Sequence, residues 1–445
     1  MATYLPVERL VDLMDPAANV LLNCSREQAW AAVASGDAAR VGQIQGQFAI
    51  VAKQGHFVRL ARSIGRPMRY FLAKQASGPL LIVAERMDQI HAQLAADGLE
   101  DQFHPSYTRM VPAHHILEIA LVGCPDPNPK YDRFFTPRRN ALPADLDAIG
   151  EAYIGALAQA CDQWLNTIDP REPIGVLFSG GVDSGAVLLV LHDLLLRRGE
   201  SAARLKAFTL SVGGRGSDAE QARQFLAELD MSLYLEVMDV EPRQVNYMDA
   251  VRVIEDYKPL DVQAAAMGWA LCQAIRDRYP DWKYLVDGDG GDENLKDYPI
   301  EENPELTIRS VLNNLMLYQE GWGVDAIKHS LVYTGGQSRG HVRSYAPARQ
   351  LGFQGFSPLA LPSVIGVAEG IPFIELTGWD HERLYGLKGE VVRRGVEAVT
   401  GLTMPIFPKC RFQHGAAAEG ESLFPRHESS YRRAWDAIVS RLGVE

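Results

Sequence analysis

The chain has few cysteines and no long apolar run. Its five cysteines are scattered over 445 residues without a Cys-x-x-Cys pair: Cys24, Cys124, Cys161, Cys272 and Cys410. This scatter argues against a zinc site or a disulfide framework and is typical of a reducing compartment, so a cytoplasmic protein is expected. No apolar stretch approaches the roughly 20 residues of a membrane helix. The N-terminus also lacks the basic-then-apolar layout of a signal peptide, so we expect no membrane partner.

Positive charge is also scarce. Lys and Arg total 44 against 56 Asp and Glu, which gives a net charge of −12. This balance argues against a nucleic-acid partner, although it leaves room for a local basic pocket that binds phosphates. Hydrophobic residues make up 47% of the chain and charged residues 22%, as in ordinary globular proteins. The length exceeds that of one typical domain, so two domains are expected.

One stretch concentrates the informative residues. The apolar run Ile174–Phe178 predicts a buried strand of a parallel sheet, the turn Ser179-Gly180-Gly181 follows directly, and an apolar helix is predicted over Ala186–Leu196. Glycines let a backbone approach a ligand closely and a helix N-terminus favours an anion, so this arrangement is typical of a phosphate site. The Ser184 hydroxyl adds a donor. Phosphate would repel Asp183, which is therefore expected to hold a Mg²⁺ that bridges phosphate oxygens.

The following segments predict a sheet around this stretch. Strands are predicted at Leu205–Val212 and Ser232–Val237, with a helix over Ala219–Leu229 between them. This βαβαβ order predicts a doubly wound α/β domain whose ligand lies at the carboxyl ends of the strands. A further apolar strand begins at Tyr284 and enters a glycine turn that carries four carboxylates: Asp287, Asp289, Asp292 and Glu293. Because packed aspartates repel unless a cation or donors lie among them, this turn predicts a metal–phosphate site.

These motifs resemble those of a known family. The sequence Ser179-Gly-Gly-Val-Asp-Ser184 is not a Walker A loop, because no Gly-Lys-Ser/Thr closes it. It resembles the Ser-Gly-Gly-x-Asp-Ser loop of ATP pyrophosphatases, which cut ATP between the α and β phosphates. Residues 284–293 resemble the asparagine synthetase block Ser-Gly-Glu-Gly-Ala-Asp-Glu, and residues 387–415 resemble that family's lysine-containing closing series. The chain thus looks like an asparagine synthetase-like ATP pyrophosphatase, related to asparagine synthetase B and the β-lactam and carbapenam synthetases.

The resemblance implies ATP and Mg²⁺ as cofactors. Asp183 and Asp292 would hold the Mg²⁺, with weaker claims for Asp287 and Asp289. Lys409 matches the lysine that reaches the α phosphate and the reacting carbonyl, and Lys388 matches one near the pyrophosphate. The implied ATP-binding set is Phe178, Ser179, Gly180, Gly181, Asp183, Ser184, Leu210 and Gly288.

Residues 1–120 are similar to the glutaminase half of asparagine synthetase. The segments Gly46–Ile50, Leu60–Phe71 and Leu81–Glu85 follow that family's blocks in order, although its acidic residue after arginine is Ser63 here. The resemblance implies an N-terminal α+β sandwich of the Ntn-hydrolase type.

That domain is expected to be inactive. Glutaminase chemistry uses a cysteine thiol at the mature N-terminus with the free α-amine as its base. Here Met1 is followed by Ala2, and the first cysteine is Cys24. The proline-rich segment 121–144 is predicted to be an unpacked linker to a synthetase domain at 145–445.

The substrate region departs from the family pattern. The family's acceptor block Gly-Val-Glu-Ala-Arg-Val-Pro-Phe-Leu-Asp aligns best with residues 352–361, where its glutamate is Gln354 and its arginine is Phe356. Glutamine cannot act as a general base, and an apolar residue in place of arginine predicts a less anionic substrate. Glu255 falls in the family's substrate region, with a solvated helix charge as an equal alternative. Asp218 matches a family Asp-Glu-x-x-Tyr-Ala motif, with a helix N-cap as the alternative.

Three functions follow from this reading. The first is an ATP-dependent ligase that activates a small-molecule or peptide carboxylate as an acyl-adenylate, releases pyrophosphate and forms an amide or lactam with ammonia or an amine, without glutamine. The second is ATP-dependent sulfur transfer using Cys410, because the neighbouring cation of Lys409 would lower the pKa of its thiol. The third is a non-catalytic nucleotide-binding subunit. A homodimer is considered as the assembly.

Overall fold

The structure is a computed structural model that describes residues 9–122, 129–214, 216–297, 300, 307–315, 341–407 and 423–442. The chain divides into two compact units: the first holds the described residues up to Thr136 and those from Arg432 onward, and the second holds those from Pro137 to Tyr431. The first division lies between Thr136 and Pro137. This division lies inside the segment predicted as a linker, 121–144. Within the described residues, no helix combines the length and the apolarity needed to span a lipid bilayer.

The first unit contains two four-stranded sheets, ordered β1-β7-β6-β8 and β10-β9-β5-β4, and a short β2-β3 pair. Its helices are α1 (Arg26–Ser35), α2 (Ala38–Val41) and α3 (Met87–Ala96). Its strands are β1 (Arg9–Asp12), β2 (Val20–Leu21), β3 (Gly46–Gln47), β4 (Ala49–Gln54), β5 (Phe57–Arg62), β6 (Arg69–Ala73), β7 (Leu80–Ala84), β8 (Arg109–Met110), β9 (His115–Ala120) and β10 (Lys130–Arg133).

Side-chain alternation along β4 separates two layers of core in this unit. Ala49 packs in a cluster that joins the two sheets, with Leu60 from one sheet and Leu81 from the other. Ile50 points to the opposite side and packs against Val33 of α1. Successive strand residues face opposite sides of a sheet, so one sheet can be covered on both faces. The strands predicted near residues 48–52 and 80–84 are confirmed as β4 and β7, whereas the assignment to the Ntn-hydrolase type stays a prediction.

The predicted linker is wrong for part of its length. Lys130–Arg133 forms strand β10, which pairs antiparallel with β9. The next residue, Phe134, stacks on Phe48 with ring centroids 5.9 Å apart. All four β10 residues are exposed, and an edge strand needs a partner on one side only, so prolines on either side of it do not prevent pairing.

The second unit is built on one five-stranded parallel sheet, which confirms the predicted doubly wound domain. Its order is β13-β12-β11-β14-β15, and every neighbouring pair is parallel. The chain starts at the central β11, moves outward to β13 and then returns to the other side of β11 with β14. In such sheets ligands bind outside the carboxyl ends of the strands where the order reverses, here between β11 and β14. The strands are β11 (Ile174–Leu177), β12 (Leu205–Val212), β13 (Leu235–Val240), β14 (Tyr284–Val286) and β15 (Gln354–Phe356).

In chain order, most helices of the second unit lie between consecutive strands. They are α4 (Leu146–Leu165), α5 (Val182–Arg197), α6 (Ser217–Ala227), α7 (Tyr247–Ile254), α8 (Pro259–Arg278), α9 (Gly291–Asn294), α10 (Ile308–Asn313), α11 (Ala346–Gln350) after a π-helical turn His341–Tyr345, α12 (Pro362–Glu369), α13 (Phe373–Thr377) and α14 (His381–Thr400). A last helix, α15, spans Glu428–Arg441.

One predicted strand boundary in this unit is wrong, and one helix crossing bears on the site. The third predicted strand, 232–237, begins too early, because Ser232–Tyr234 forms a 3₁₀ turn ahead of β13. Helix α14 crosses α4 closely: a Cβ added to Gly150 of α4 would lie 2.7 Å from the backbone nitrogen of Gly395. The absence of side chains at these two glycines therefore lets α14 approach the sheet's helices, and α14 carries Lys388.

Candidate active site

The first site loop leaves β11 and packs against α6. Phe178 is buried, and its N–H donates to the carbonyl of Phe208 at 2.8 Å, so the pairing with β12 continues to the loop. Gly180 has φ +71°, and a Cβ there would lie 2.9 Å from the backbone nitrogen of Ala222. Both facts require glycine, because other residues rarely adopt this φ and no space remains for a side chain.

Two serine hydroxyls fold this loop over the first turn of α5. The N–H of Ser179 donates to Oγ of Ser184 at 3.3 Å, and the N–H of Gly181 donates to Oγ of Ser179 at 3.3 Å. Gly181 is the N-cap residue of α5 and provides no side-chain acceptor for the helix. The first N–H groups of α5 are therefore not capped by a side chain of the N-cap residue and are placed to receive an anion.

The second site loop, which follows β14, lies directly against the first. A Cβ added to Gly288 would lie 2.7 Å from the backbone nitrogen of Ser184. A Cβ added to Gly291 would overlap the carboxylate of Asp183. Glycine at both positions therefore lets the two loops meet, and the carboxylate of Asp183 contacts the first residue of α9.

Lys388 joins the carboxylates of both loops. Its Nζ lies 2.5 Å from Oδ2 of Asp183, forms an ion pair with Oδ1 of Asp292 and lies 3.6 Å from Oδ2 of Asp297. The side chain of Lys388 is 6% exposed. Burial opposes its charge, but the three carboxylates outweigh burial and hold the pKa of the ammonium well above its usual value. Asp297 was missed in the sequence, because a single aspartate after α9 carries no local signal.

Asp183 and Asp292 fit a Mg²⁺ site. Oxygens of both reach the same ammonium, so a cation at that point would contact both carboxylates. Mg²⁺ commonly takes one or two protein carboxylates and completes its shell with phosphate oxygens and water. No group of three or more His, Cys, Asp or Glu has metal-binding geometry among the residues that the structure describes.

Asp287 shapes the second loop, and the weaker metal role considered for it stays a prediction. Its Oδ1 accepts the N–H of Asp289 at 3.1 Å, and its Oδ2 accepts the hydroxyl of Ser357 at 2.9 Å. Burial raises the pKa of Asp287, and the neighbouring charge of Asp289 adds to this rise. Both oxygens of Asp287 are used within the loop and toward β15, so the residue shapes the loop.

Two buried side chains, Asn294 and Lys296, hold α9 in place, and neither was anticipated. Nδ2 of Asn294 donates to the hydroxyl of Tyr153 at 3.1 Å and to the carbonyl of Leu359 at 2.9 Å. Lys296 pairs with Glu369 at 3.4 Å, and both side chains are almost fully buried. These contacts tie the helix that carries Asp292 to α4 and α12.

Three further residues expected at the site lie elsewhere in the second unit or are buried in its core. Leu210 is buried in β12. Gln354 is an exposed residue at the amino end of β15, paired with Tyr284, so the structure does not bring it to the carboxyl edge where both loops lie. Glu255 is 6% exposed and ends α7 with φ +53°, so the alternative of a solvated helix charge is wrong.

Asp218 is also a buried acid, and the alternative of a helix N-cap for it is wrong. The N-cap of α6 is Gly216, whereas Asp218 lies inside the first turn and is 3% exposed. Burial raises the pKa of Asp218 to about 7. Its Oδ2 is buried without a hydrogen-bond partner.

Lys409 and Cys410 lie outside the described residues. Of the cysteines that the structure describes, Cys161 and Cys272 are buried. Burial raises the pKa of both thiols, that of Cys272 to about 12. Neither thiol supports sulfur chemistry, because the reactive form is the thiolate.

A comparison with protein families agrees with this geometry. The family described as asparagine synthase matches residues 164–349. The match contains β11 to β14, both site loops, Asp183 and Asp292, and it ends before Lys388. It does not include the N-terminal unit. No curated protein matches the chain. Residues 164–349 therefore match the asparagine synthase family, and this match suggests an ATP-dependent carbon–nitrogen ligase.

Proposed function

We propose that the protein is an AMP-forming ligase, which activates a carboxylate as an acyl-adenylate and then transfers it to ammonia or an amine. The observation that carries the proposal is the convergence of Asp183 and Asp292 on Lys388, beside a glycine loop at the N-terminus of α5. This set lies where the strand order of the sheet reverses, which is the usual ligand site of doubly wound sheets.

The first loop supports binding of the ATP phosphates. N–H groups of the first turn of α5 supply donors, and the helix dipole favours negative charge there. Phe178, Leu210 and Gly288 complete the proposed ATP-binding set, by resemblance. Ser179 and Ser184 add hydroxyls to the phosphate end.

A bound Mg²⁺ would neutralise charge on the departing pyrophosphate. Asp183 and Asp292 would hold the ion, because their oxygens already meet at one point. Lys388 would then turn its ammonium toward a phosphate oxygen, since its charge is retained in the buried site. Lys409 is proposed, by resemblance, to stabilise charge on the α phosphate and the reacting carbonyl.

The chemistry has two steps. A carboxylate oxygen of the substrate bonds to the α phosphorus while the bond between the α phosphorus and the bridging oxygen breaks, and pyrophosphate leaves. The amine nitrogen then bonds to the acyl carbon, the bond from that carbon to the AMP oxygen breaks, and the nitrogen gives up one proton. The acid is a small molecule or a peptide, glutamine is not the nitrogen donor, and the reaction belongs to the cytoplasm.

The test measures which bond of ATP is cut. The full chain is incubated with Mg²⁺, ATP, ammonia and a panel of carboxylic acids, and AMP and pyrophosphate are measured. We expect AMP and pyrophosphate in equal amounts with the wild type and none with Asp183→Asn, which keeps its fold. Asp193→Asn, on a later turn of the same helix, should retain activity. Formation of ADP, or equal turnover by Asp183→Asn, would refute the proposal.

A further inference from the structure

Three carboxylates surround the ammonium of Lys388, and they differ in their access to solvent. The side chain of Asp292 is 27% exposed and that of Asp183 is 20% exposed, whereas that of Asp297 is only 13% exposed. A ligand that enters from solvent therefore meets Asp183 and Asp292 before it meets Asp297. We call these three aspartates and Lys388 the carboxylate cage.

The backbone fixes Asp297 next to Asp292. The N–H of Asp297 donates to the carbonyl of Asp292 at 3.0 Å, and the residue before it, Lys296, has φ +55°. Few residues other than glycine adopt this left-handed conformation, so the surrounding contacts must hold it. The buried side chain of Lys296 pairs with Glu369 of α12 at 3.4 Å. The position of Asp297 is thus held by contacts in which Lys388 takes no part.

The carboxylate cage carries more negative than positive charge. Its three carboxylates face one ammonium, so Lys388 neutralises only one of them. In partly buried surroundings water screens the remaining charge poorly. One Mg²⁺ supplies two positive charges and so balances the cage, provided that Lys388 keeps its place in it.

The distances in the cage suit Asp297 to an ammonium and not to a metal ion. Nζ of Lys388 lies 2.5 Å from Oδ2 of Asp183 and 3.6 Å from Oδ2 of Asp297. A Mg²⁺ at the position of the ammonium would be out of reach of Asp297, because it needs oxygens at about 2.0–2.1 Å. The ammonium needs to move only roughly 1 Å to form a charge-assisted hydrogen bond with Asp297. Nor do three His, Cys, Asp or Glu side chains form a metal-binding group among the residues that the structure describes.

We propose that Asp297 is a positioning residue that retains Lys388 in the cage once Mg²⁺ is bound. When Asp183 and Asp292 turn to the metal ion, the ammonium moves onto Asp297 and stays available to donate to a phosphate oxygen. Without Asp297, the ammonium would compete with Mg²⁺ for the same two carboxylates. Asp297 acts only through Lys388 and does not touch the nucleotide. This inference rests on the Mg²⁺–ATP site of the proposed ligase.

The test measures the affinity for Mg²⁺ instead of turnover. The full chain is titrated calorimetrically with Mg²⁺ in the presence of α,β-methylene-ATP, in which the link between the α and β phosphates cannot be cut. We expect Asp297→Asn to weaken Mg²⁺ binding about tenfold, the equivalent of one charge-assisted hydrogen bond. Asp297→Glu keeps the carboxylate and should bind Mg²⁺ within about twofold of the wild type. Glu382→Gln removes an exposed negative charge from the helix that carries Lys388 and should bind Mg²⁺ as the wild type does.

The Lys388→Met background separates positioning from metal ligation. There, Asp297→Asn should leave the affinity for Mg²⁺ nearly unchanged, because no ammonium remains to be held. The double variant should fold at least as well as Lys388→Met, since it contains one fewer carboxylate without its counter-charge. If Lys388→Met does not fold, the comparison of Asp297→Asn with Asp297→Glu decides, because only the glutamate can still hold the ammonium by charge.

Three results would overturn the inference. Equal weakening by Asp297→Asn with and without Lys388 would make Asp297 a metal ligand. Unchanged affinity for Mg²⁺ in Asp297→Asn, or equal losses in Asp297→Asn and Asp297→Glu, would leave it a structural residue. The ligase proposal is judged separately from AMP formation by the wild type: coupling of Asp297 to Mg²⁺ without AMP would refute the ligase reaction alone, and AMP formation without that coupling would refute only the positioning role.

Discussion

The ammonium of Lys388 lies 2.5 Å from a carboxylate oxygen of Asp183, although 205 positions separate the two residues. Asp183 lies in the first turn of α5, after the central strand. Lys388 lies on α14, which the facing glycines Gly150 and Gly395 bring close to α4. The contact therefore depends on the packing of three helices. It also means that the proposed metal ligands are held together by a cation of the chain itself.

Replacing Lys388 should destabilise the protein, and Mg²⁺ should partly reverse this loss of stability. In Lys388→Met the carboxylates of Asp183, Asp292 and Asp297 lose their shared counter-charge. Removing one partner of a buried pair costs roughly 3 kcal/mol or more. Thermal unfolding with and without Mg²⁺ measures this, and the exposed Lys283→Met serves as the control. Equal stability of Lys388→Met and wild type without Mg²⁺ would contradict the ion-pair geometry.

A single methyl group at Gly291 should disturb the metal site without unfolding the protein. The Cβ of Gly291→Ala would overlap the carboxylate of Asp183, which must then move. We expect ATP-dependent Mg²⁺ binding to weaken at least about tenfold, because a small displacement of a ligand is enough to spoil coordination. Gly386→Ala on α14 is the matched control, since no atom lies within 4 Å of its added Cβ. Calorimetric titration of both variants measures the affinity for Mg²⁺ in the presence of ATP. An unchanged affinity of Gly291→Ala would contradict the prediction.

Asp218 should make the protein less stable as the pH rises. Its pKa is raised from 3.8 to about 7 by burial, so between these values the unfolded chain ionises while the folded chain keeps the proton. The stability of the wild type relative to Asp218→Asn should therefore fall from about pH 4 to about pH 7 and then level off, by up to roughly 4 kcal/mol. Urea unfolding at several pH values gives this difference. Glu220→Gln, an exposed change on the same helix, should show no such trend relative to the wild type, and a pH-independent difference in stability between the wild type and Asp218→Asn would refute the prediction.

The buried pair Lys296–Glu369 should be strongly coupled. Both side chains are almost fully buried and lie 3.4 Å apart. Lys296→Met or Glu369→Leu alone should each cost about 3–5 kcal/mol, because the remaining charge is left buried, whereas the double variant should lose less than the sum. Chemical denaturation of the four proteins measures the coupling. Strict additivity would show that the two residues act independently.

The local elements of the site could be predicted from the sequence. An apolar run followed by two glycines and an apolar helix predicted β11, the loop and α5, and Leu205–Val212 was located without error. These elements depend on neighbours in the chain, whose apolar spacing and glycine turns are visible locally. The third strand was placed three residues early, because the 3₁₀ turn at Ser232–Tyr234 ahead of it contains apolar residues that resemble a strand.

The sequence by itself determined the glycine loop after β11, the acidic second loop and the asparagine synthase match that contains them, because those signals are short and contiguous. Only the tertiary structure decided that Asp183 and Asp297 meet at Lys388 and that Gln354 stands at the amino end of its strand. These relationships depend on strand register and helix crossings between residues far apart in the chain. Burial and shared charge then set the protonation of each group, and no local pattern records them.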